Sequence, residues 1–168
     1  EQAQLVHLSR VLNETLEKDV IVEQSTHIIR QIIGVENVWI GLKEGEENDL
    51  TFYSKQKSLM PTVIDVTTIP EFQSIFSAHQ YISRIFYADG SDISVPLTKL
   101  MKNNQMKLVG CVPMVISNGL MGIMMFGHVT ARNFSDSEWR MLDLATNQVA
   151  TQLNNAQLYE ESQDALKR

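Results

Sequence analysis

Apolar positions along the chain switch between helical and strand spacing, and each switch marks an element. In residues 4–16, Leu5, Leu8, Leu12 and Leu16 recur at helical intervals among polar residues. A second helix is predicted from Asp19 as its N-cap, with Ile21, Val22, Ile28, Ile29, Ile32 and Ile33 along one side. Gly34 is placed to stop it, since glycine takes the left-handed conformation that ends many helices. Residues 35–42, with Trp39, and residues 50–55 read as strands around an acidic tip of Glu44, Glu46, Glu47 and Asp49.

The middle of the chain is less regular. Residues 62–66 suit a short strand. Pro70 opens a short helix over 71–78, because proline is preorganised for the first helical turn. Residues 81–86 read as extended and 88–92 as a loop, and Pro96 begins a helix running to about Asn104.

The last third carries the clearest pattern. Two apolar strands, residues 108–116 and 120–128, flank Ser117-Asn118-Gly119. Next comes Asn133-Phe134-Ser135-Asp136-Ser137-Glu138-Trp139, a helix start. Ser135 and Glu138 have the spacing of a capping box, and Phe134 and Trp139 that of a hydrophobic staple. The helix runs from Asp136 towards Arg168, well beyond the roughly 11–12 residues of an average helix. Leu142, Val149 and Ala156 follow one heptad line, and Ala145, Gln152, Tyr159 and Leu166 another. This seam predicts a homodimer through the terminal helices, although Gln152 and Asn154-Asn155 interrupt it. The competing reading is a single helix packed on its own sheet.

Composition narrows the picture. At 168 residues and 43% hydrophobic content the chain suits one domain with extensions. A net charge of −6 argues against nucleic acid and anionic membrane as partners. No run of apolar residues is long enough to span a bilayer, and no signal-peptide pattern is present. Beginning at Glu1 without an initiator Met, the chain reads as a piece of a longer protein. Its single cysteine, Cys111, forms no internal disulfide, which fits a cytoplasmic location.

Catalytic chemistry is not evident. His7, His27, His79 and His128 are scattered without ligand spacing, so no metal site is expected. Asp89 and Asp92 around Gly90-Ser91 are too close together for a calcium loop of the EF-hand type. Cys111 has no histidine beside it in sequence, and no enzyme activity is expected. A Cys111-dependent enzyme remains the third reading, behind the two set out below.

The order of helix, helix, two strands, irregular middle, strand-turn-strand and long helix resembles a GAF domain over nearly the whole chain. Val112-Pro113-Met114, Gly119, Gly122-Ile123, the Phe134 to Glu138 helix start and Asn155-Ala156-Gln157-Leu158-Tyr159 carry the resemblance. A PAS domain is the rival fold, but the capped start of a long final helix favours GAF. The resemblance implies an α+β fold related to PAS. A central antiparallel sheet would have the terminal helices on one face and, on the other, a pocket capped by short helices and loops. It divides the chain into an N-terminal helix (1–18), a GAF domain (19–150) and a C-terminal helical extension (151–168).

The resemblance also implies a function: a small-molecule sensor in a signal-transduction protein, such as a bacterial histidine kinase. Ligand state would pass through the terminal helices to an output domain. Phe72, Phe76, Tyr81, Met101, Met106, Cys111 and Met125 are the residues placed near the pocket, with ordinary core as the competing reading for each. Eight methionines suit an adaptable pocket and an irregular core equally. The main alternative is a ligand-free dimerisation and interaction module. The ligand is unknown. Bilin-binding relatives carry a Cys-His pair where this chain has Thr98-Lys99, which argues against a covalent bilin. Haem-binding relatives need an axial histidine, and none lies between Gln80 and Gly127. The Asn-Lys and Asp-Glu elements of cyclic-nucleotide-binding relatives are likewise missing around Phe134.

The hairpin turn has two registers. A two-residue loop at Asn118-Gly119 pairs Ser117 with Leu120 and sets Met124 opposite Pro113. A three-residue loop with left-handed Gly119 pairs Ile116 with Leu120 and sets Met125 opposite Cys111. GAF hairpins favour the second, which puts Cys111, Met121, Ile123 and Met125 on one face.

Overall fold

The structure is a computed structural model describing residues 3–5, 17–53, 60–117 and 119–166. The predicted N-terminal helix lies mostly outside these residues; 3–5 are helical, and Leu5 packs against the core. Helix α1 spans Lys18–Ile33. It begins one residue before Asp19, with Glu17 at the cap position and Asp19 in the first turn, where its charge complements the helix dipole. Gly34 ends the helix in the left-handed conformation (φ 64°, ψ 45°), donating its N–H to the Arg30 carbonyl at 2.9 Å.

Strands β1 (Asn37–Lys43), β2 (Asp49–Tyr53) and β3 (Val63–Asp65) follow, then a short 3₁₀ turn (Val66–Thr68) and helix α2 (Pro70–Phe76). Strand β4 (Arg84–Tyr87), helix α3 (Val95–Asn103), strands β5 (Leu108–Ile116) and β6 (Gly119–His128) and helix α4 (Asp136–Leu166) complete the described elements. The strands form one six-stranded antiparallel sheet in the order β3-β2-β1-β6-β5-β4.

Two hydrophobic clusters lie on opposite faces of this sheet. One joins α1 and α4 to the sheet through Ile21, Ile29, Leu142, Val149, Met124 and Phe126. The other joins α2 and α3 to it through Phe72, Leu97, Met101, Trp39, Cys111 and Met125. Alternating side chains of the central strands supply both, as the two-residue period of a strand requires.

The β5–β6 turn differs from both predicted registers. Cys111 faces Met125 as in the three-residue reading, but Ile116 pairs with Gly119, and the register shifts between Met114 and Val115. A tighter turn plus a bulge thus restores the register further along the strands. Ser117, not Gly119, takes the positive φ (51°). The shift also changes the face of Met121, which packs with the α1–α4 cluster rather than with Cys111.

The start of α4 follows its sequence signals. The Ser135 N–H donates to Glu138 Oε1 at 3.0 Å, and the Glu138 N–H donates to Ser135 Oγ at 3.1 Å. Phe134 and Trp139 meet edge-on at 6.0 Å, and both also contact the Phe126 ring. Much of the predicted heptad seam is covered within this chain. Leu142, Ala145, Val149 and Ala156 are buried within this chain, leaving only Tyr159 and Leu166 of the seam exposed. The sheet and α1 compete with a second helix for the same stripe, and here they take it.

Candidate functional site

The face of the sheet under α2 and α3 is the candidate site. Trp39, Met125 and Cys111 are consecutive cross-strand neighbours across β1, β6 and β5. Above them, Pro70 starts α2 at its first turn, which lowers Phe72 and Ile75 onto the sheet. Ser94 caps α3 by accepting from the Leu97 N–H at 3.3 Å, and Leu97, Leu100 and Met101 face inward. The two capping helices are tied together by Glu71, whose carboxylate accepts from the Ser94 N–H (2.7 Å) and from its hydroxyl (2.6 Å).

Of the seven residues expected here, Phe72, Met101, Met106, Cys111 and Met125 share one cluster at no more than 2% exposure. Phe76 packs on its margin, half-buried. Tyr81 is also half-buried but belongs to neither cluster. Met106 lies directly over Gly127: a Cβ there would fall 1.9 Å from its sulfur. Side chains this enclosed leave almost no space beside them, so among the described residues the cluster is closed over its own side chains.

Sequence reasoning missed Trp39 and Leu97 as members of the cluster, whereas Ile123 lies on the face shared with Cys111 and Met125 as expected. Trp39 was legible as an apolar residue on β1, but which face it served depended on the register with β6.

The buried cluster of the site is apolar, with the part-buried Glu71–Ser94 pair at its cap. The buried polar residues among those described are Ser25 and Thr146, both in the helix layer on the other face. Burial pushes the Cys111 thiol up to about 12, with the Glu71 carboxylate adding to the rise. At neutral pH it is a protonated, inert thiol. Among the described residues no three His, Cys, Asp or Glu side chains converge as metal ligands. None of the described helices is long and apolar enough to cross a membrane.

A family model described as the GAF domain matches residues 17–155. The chain belongs to the GAF family. The six-stranded sheet with a helix layer and a capping layer is the GAF fold seen in solved structures. The phycoerythrobilin-bound GAF domain of a cyanobacterial phytochrome superposes with a TM-score of 0.75 at 15% identity, covering 95% of this chain and 97% of that one. A domain of a putative two-component sensor histidine kinase from Sinorhizobium meliloti 1021 gives 0.66 at 15% identity, covering 85% and 94%. A GAF/HD domain protein from Geobacter sulfurreducens gives 0.68 at 16%, covering 85% and 96%. At such identities the likeness establishes fold. No curated protein matches the chain.

Bilin-bound neighbours make the fit of that group a structural question. Cys111 is the only cysteine, and it is fully buried within β5. Thr98 and Lys99 lie on α3, with Lys99 exposed to solvent. A thioether to a bilin has no accessible sulfur here, so the residues do not fit a covalently attached chromophore. His79, the nearest candidate for an axial haem ligand, is exposed beyond the end of α2.

Proposed function

We propose that this GAF domain is a sensor and relay module of a cytoplasmic signal-transduction protein, and that its ligand is a small apolar molecule. One observation carries the reading: β5 and β6 lend alternate side chains to two separate cores. Cys111 and Met125 serve the capping side, while Val112 and Met124 serve the α1–α4 side. An occupant that displaces Phe72, Met101 or Met106 therefore strains the same strands that seat the terminal helices. The signal needs differential affinity of the ligand for the two helix arrangements. An apolar ligand follows from the walls, which offer no buried charge or amide to a polar one.

The output would leave through α4 to a further domain, as the histidine-kinase neighbour invites. After Ala156 no residue of α4 is buried, and Leu144, Leu158 and Leu166 are more than half exposed. A second copy packing along this outer line would make the homodimer.

A ligand-free dimerisation module is the second reading, favoured by how completely the capping cluster is filled. Native mass spectrometry of the purified chain, gentle and then denaturing, separates the two. A small non-covalent adduct lost on denaturation supports the sensor. Bare protein at dimer mass that also stays bare with added apolar ligands supports the dimerisation module.

A further inference from the structure

The outer edge of β4 is a strand with open backbone groups set in a cleft. The Ala88 N–H donates to the Lys107 carbonyl at 2.9 Å, and β4 pairs with β5 as Phe86 with Val109 and Arg84 with Cys111. In an antiparallel ladder, residues two apart share an orientation. Arg84, Phe86 and Ala88 therefore turn their backbone groups towards β5, and Ile85 and Tyr87 turn theirs away from the sheet. The Tyr87 carbonyl is taken by the Gly90 N–H at 2.9 Å. That leaves the Ile85 N–H and C=O and the Tyr87 N–H, which pair with nothing among the described residues. They open onto a cleft of about 440 Å³ running along all four residues of β4, walled by Glu71 of α2 and by Asp92.

An unpaired edge is a template for another strand unless the protein blunts it with proline, inward charge or a cover. Strand β4 has no proline, and its one charge, Arg84, sits at its first residue. We propose that this edge binds an extended peptide segment of another protein as an added antiparallel strand, with basic and apolar side chains alternating.

Register and charge set that alternation. Ile85 and Tyr87 side chains pack with the helix-layer core, and Phe86 with the capping core. In an antiparallel pair, opposed side chains share a face. Peptide residues that bond to Ile85 therefore place their side chains beside Ile85 and Tyr87, where apolar groups fit. The intervening residues point to the capping side, where Glu71 and Asp92 outnumber Arg84 and favour cations. Backbone hydrogen bonds supply the docking, and the alternating side chains supply the selection.

A blocked peptide of alternating lysine and valine tests this, with amide-resolved NMR of the whole chain as the readout. Binding is expected to be saturable, with slowed exchange at the Ile85 and Tyr87 amides. N-methylating the valine nitrogens removes the donors that face β4 and should weaken binding at least about tenfold. N-methylating the lysine nitrogens, which face outward, should leave it unchanged. Asp92→Asn should weaken it less, by about two- to threefold, and a glutamate-for-lysine peptide should bind more weakly than the lysine peptide by at least as much. Equal affinity for the two methylated peptides would overturn the proposal, as would shifts centred away from β4. Protection of the Ile85 amide that rises with protein concentration alone would overturn it too, by assigning the edge to a second copy.

Discussion

Cys111 shows how position decides chemistry at the scale of one residue. By sequence it is a free thiol; in the fold it faces Met125 and Arg84 across two ladders and lies fully buried under the α2–α3 cap. With burial pushing its thiol up to about 12, Cys111 is held as the protonated thiol at neutral pH. Iodoacetamide at pH 7.5 should therefore label the urea-unfolded chain at the free-thiol rate and the folded chain far more slowly, at that rate scaled by the fraction of open molecules. Fast labelling of the native protein would instead restore the reading of Cys111 as a nucleophile. Methionines tell a similar story: Met106 and Met125 line the capping face while Met124 lines the other, and no count of methionines separates them.

At the scale of elements, local signals held where they satisfy backbone groups. Gly34 ends α1, Pro96 lies in the first turn of α3, and the Ser135–Glu138 pair begins α4. Each fills a need of the helix terminus that exists before any tertiary contact. Glu138 does more than cap: it also meets Arg132, whose guanidinium donates to the Ile33 carbonyl at 2.9 Å and lies over the Phe134 ring. Partial burial works to raise its pKa, but the Ser135 N–H and the Arg132 charge outweigh this and hold it below its usual value. A depressed carboxylate pKa means stability that is present above the unfolded value, about 4.3, and lost as pH falls through the folded one. Glu138→Gln keeps a capping side chain but removes the charge. Its denaturant midpoint should lie below the parent's at pH 7 and converge with it towards pH 3, as followed by circular dichroism. The signals failed where elements compete. The turn at Ser117 and the bulge after Met114 trade one residue between them, and only the packing of β6 against β1 selects the outcome.

Across the whole molecule, the division of labour is between a sheet with two cores and a helix that outruns them. Helix α4 is about 46 Å long at 1.5 Å per residue, yet its buried residues end at Ala156. Removing residues 157–168 should thus cost less than about 1 kcal/mol of folding stability, since none of the described residues among them is buried and such positions contribute little. If the outer line of α4 joins two copies as proposed, the same truncation should weaken the dimer by at least about tenfold in sedimentation equilibrium. Unchanged self-association would move the interface elsewhere.

By itself the sequence determined most of the element order and the helix signals at Gly34, Pro70, Pro96 and Ser135, because caps, breakers and hydrophobic periods act over a few residues; the α+β GAF architecture followed from the resemblance those elements carry together. The resemblance also placed seven residues near a pocket: Phe76 and Tyr81, and the five Phe72, Met101, Met106, Cys111 and Met125. Only the tertiary structure decided that these five share one closed cluster, that Tyr81 stands apart, and that the Leu142–Val149–Ala156 stripe is spent within the chain. The physical reason is common to all three. A side chain's face is set locally, but what covers that face is chosen by competition among distant elements of equal hydrophobicity, and no local period records the winner.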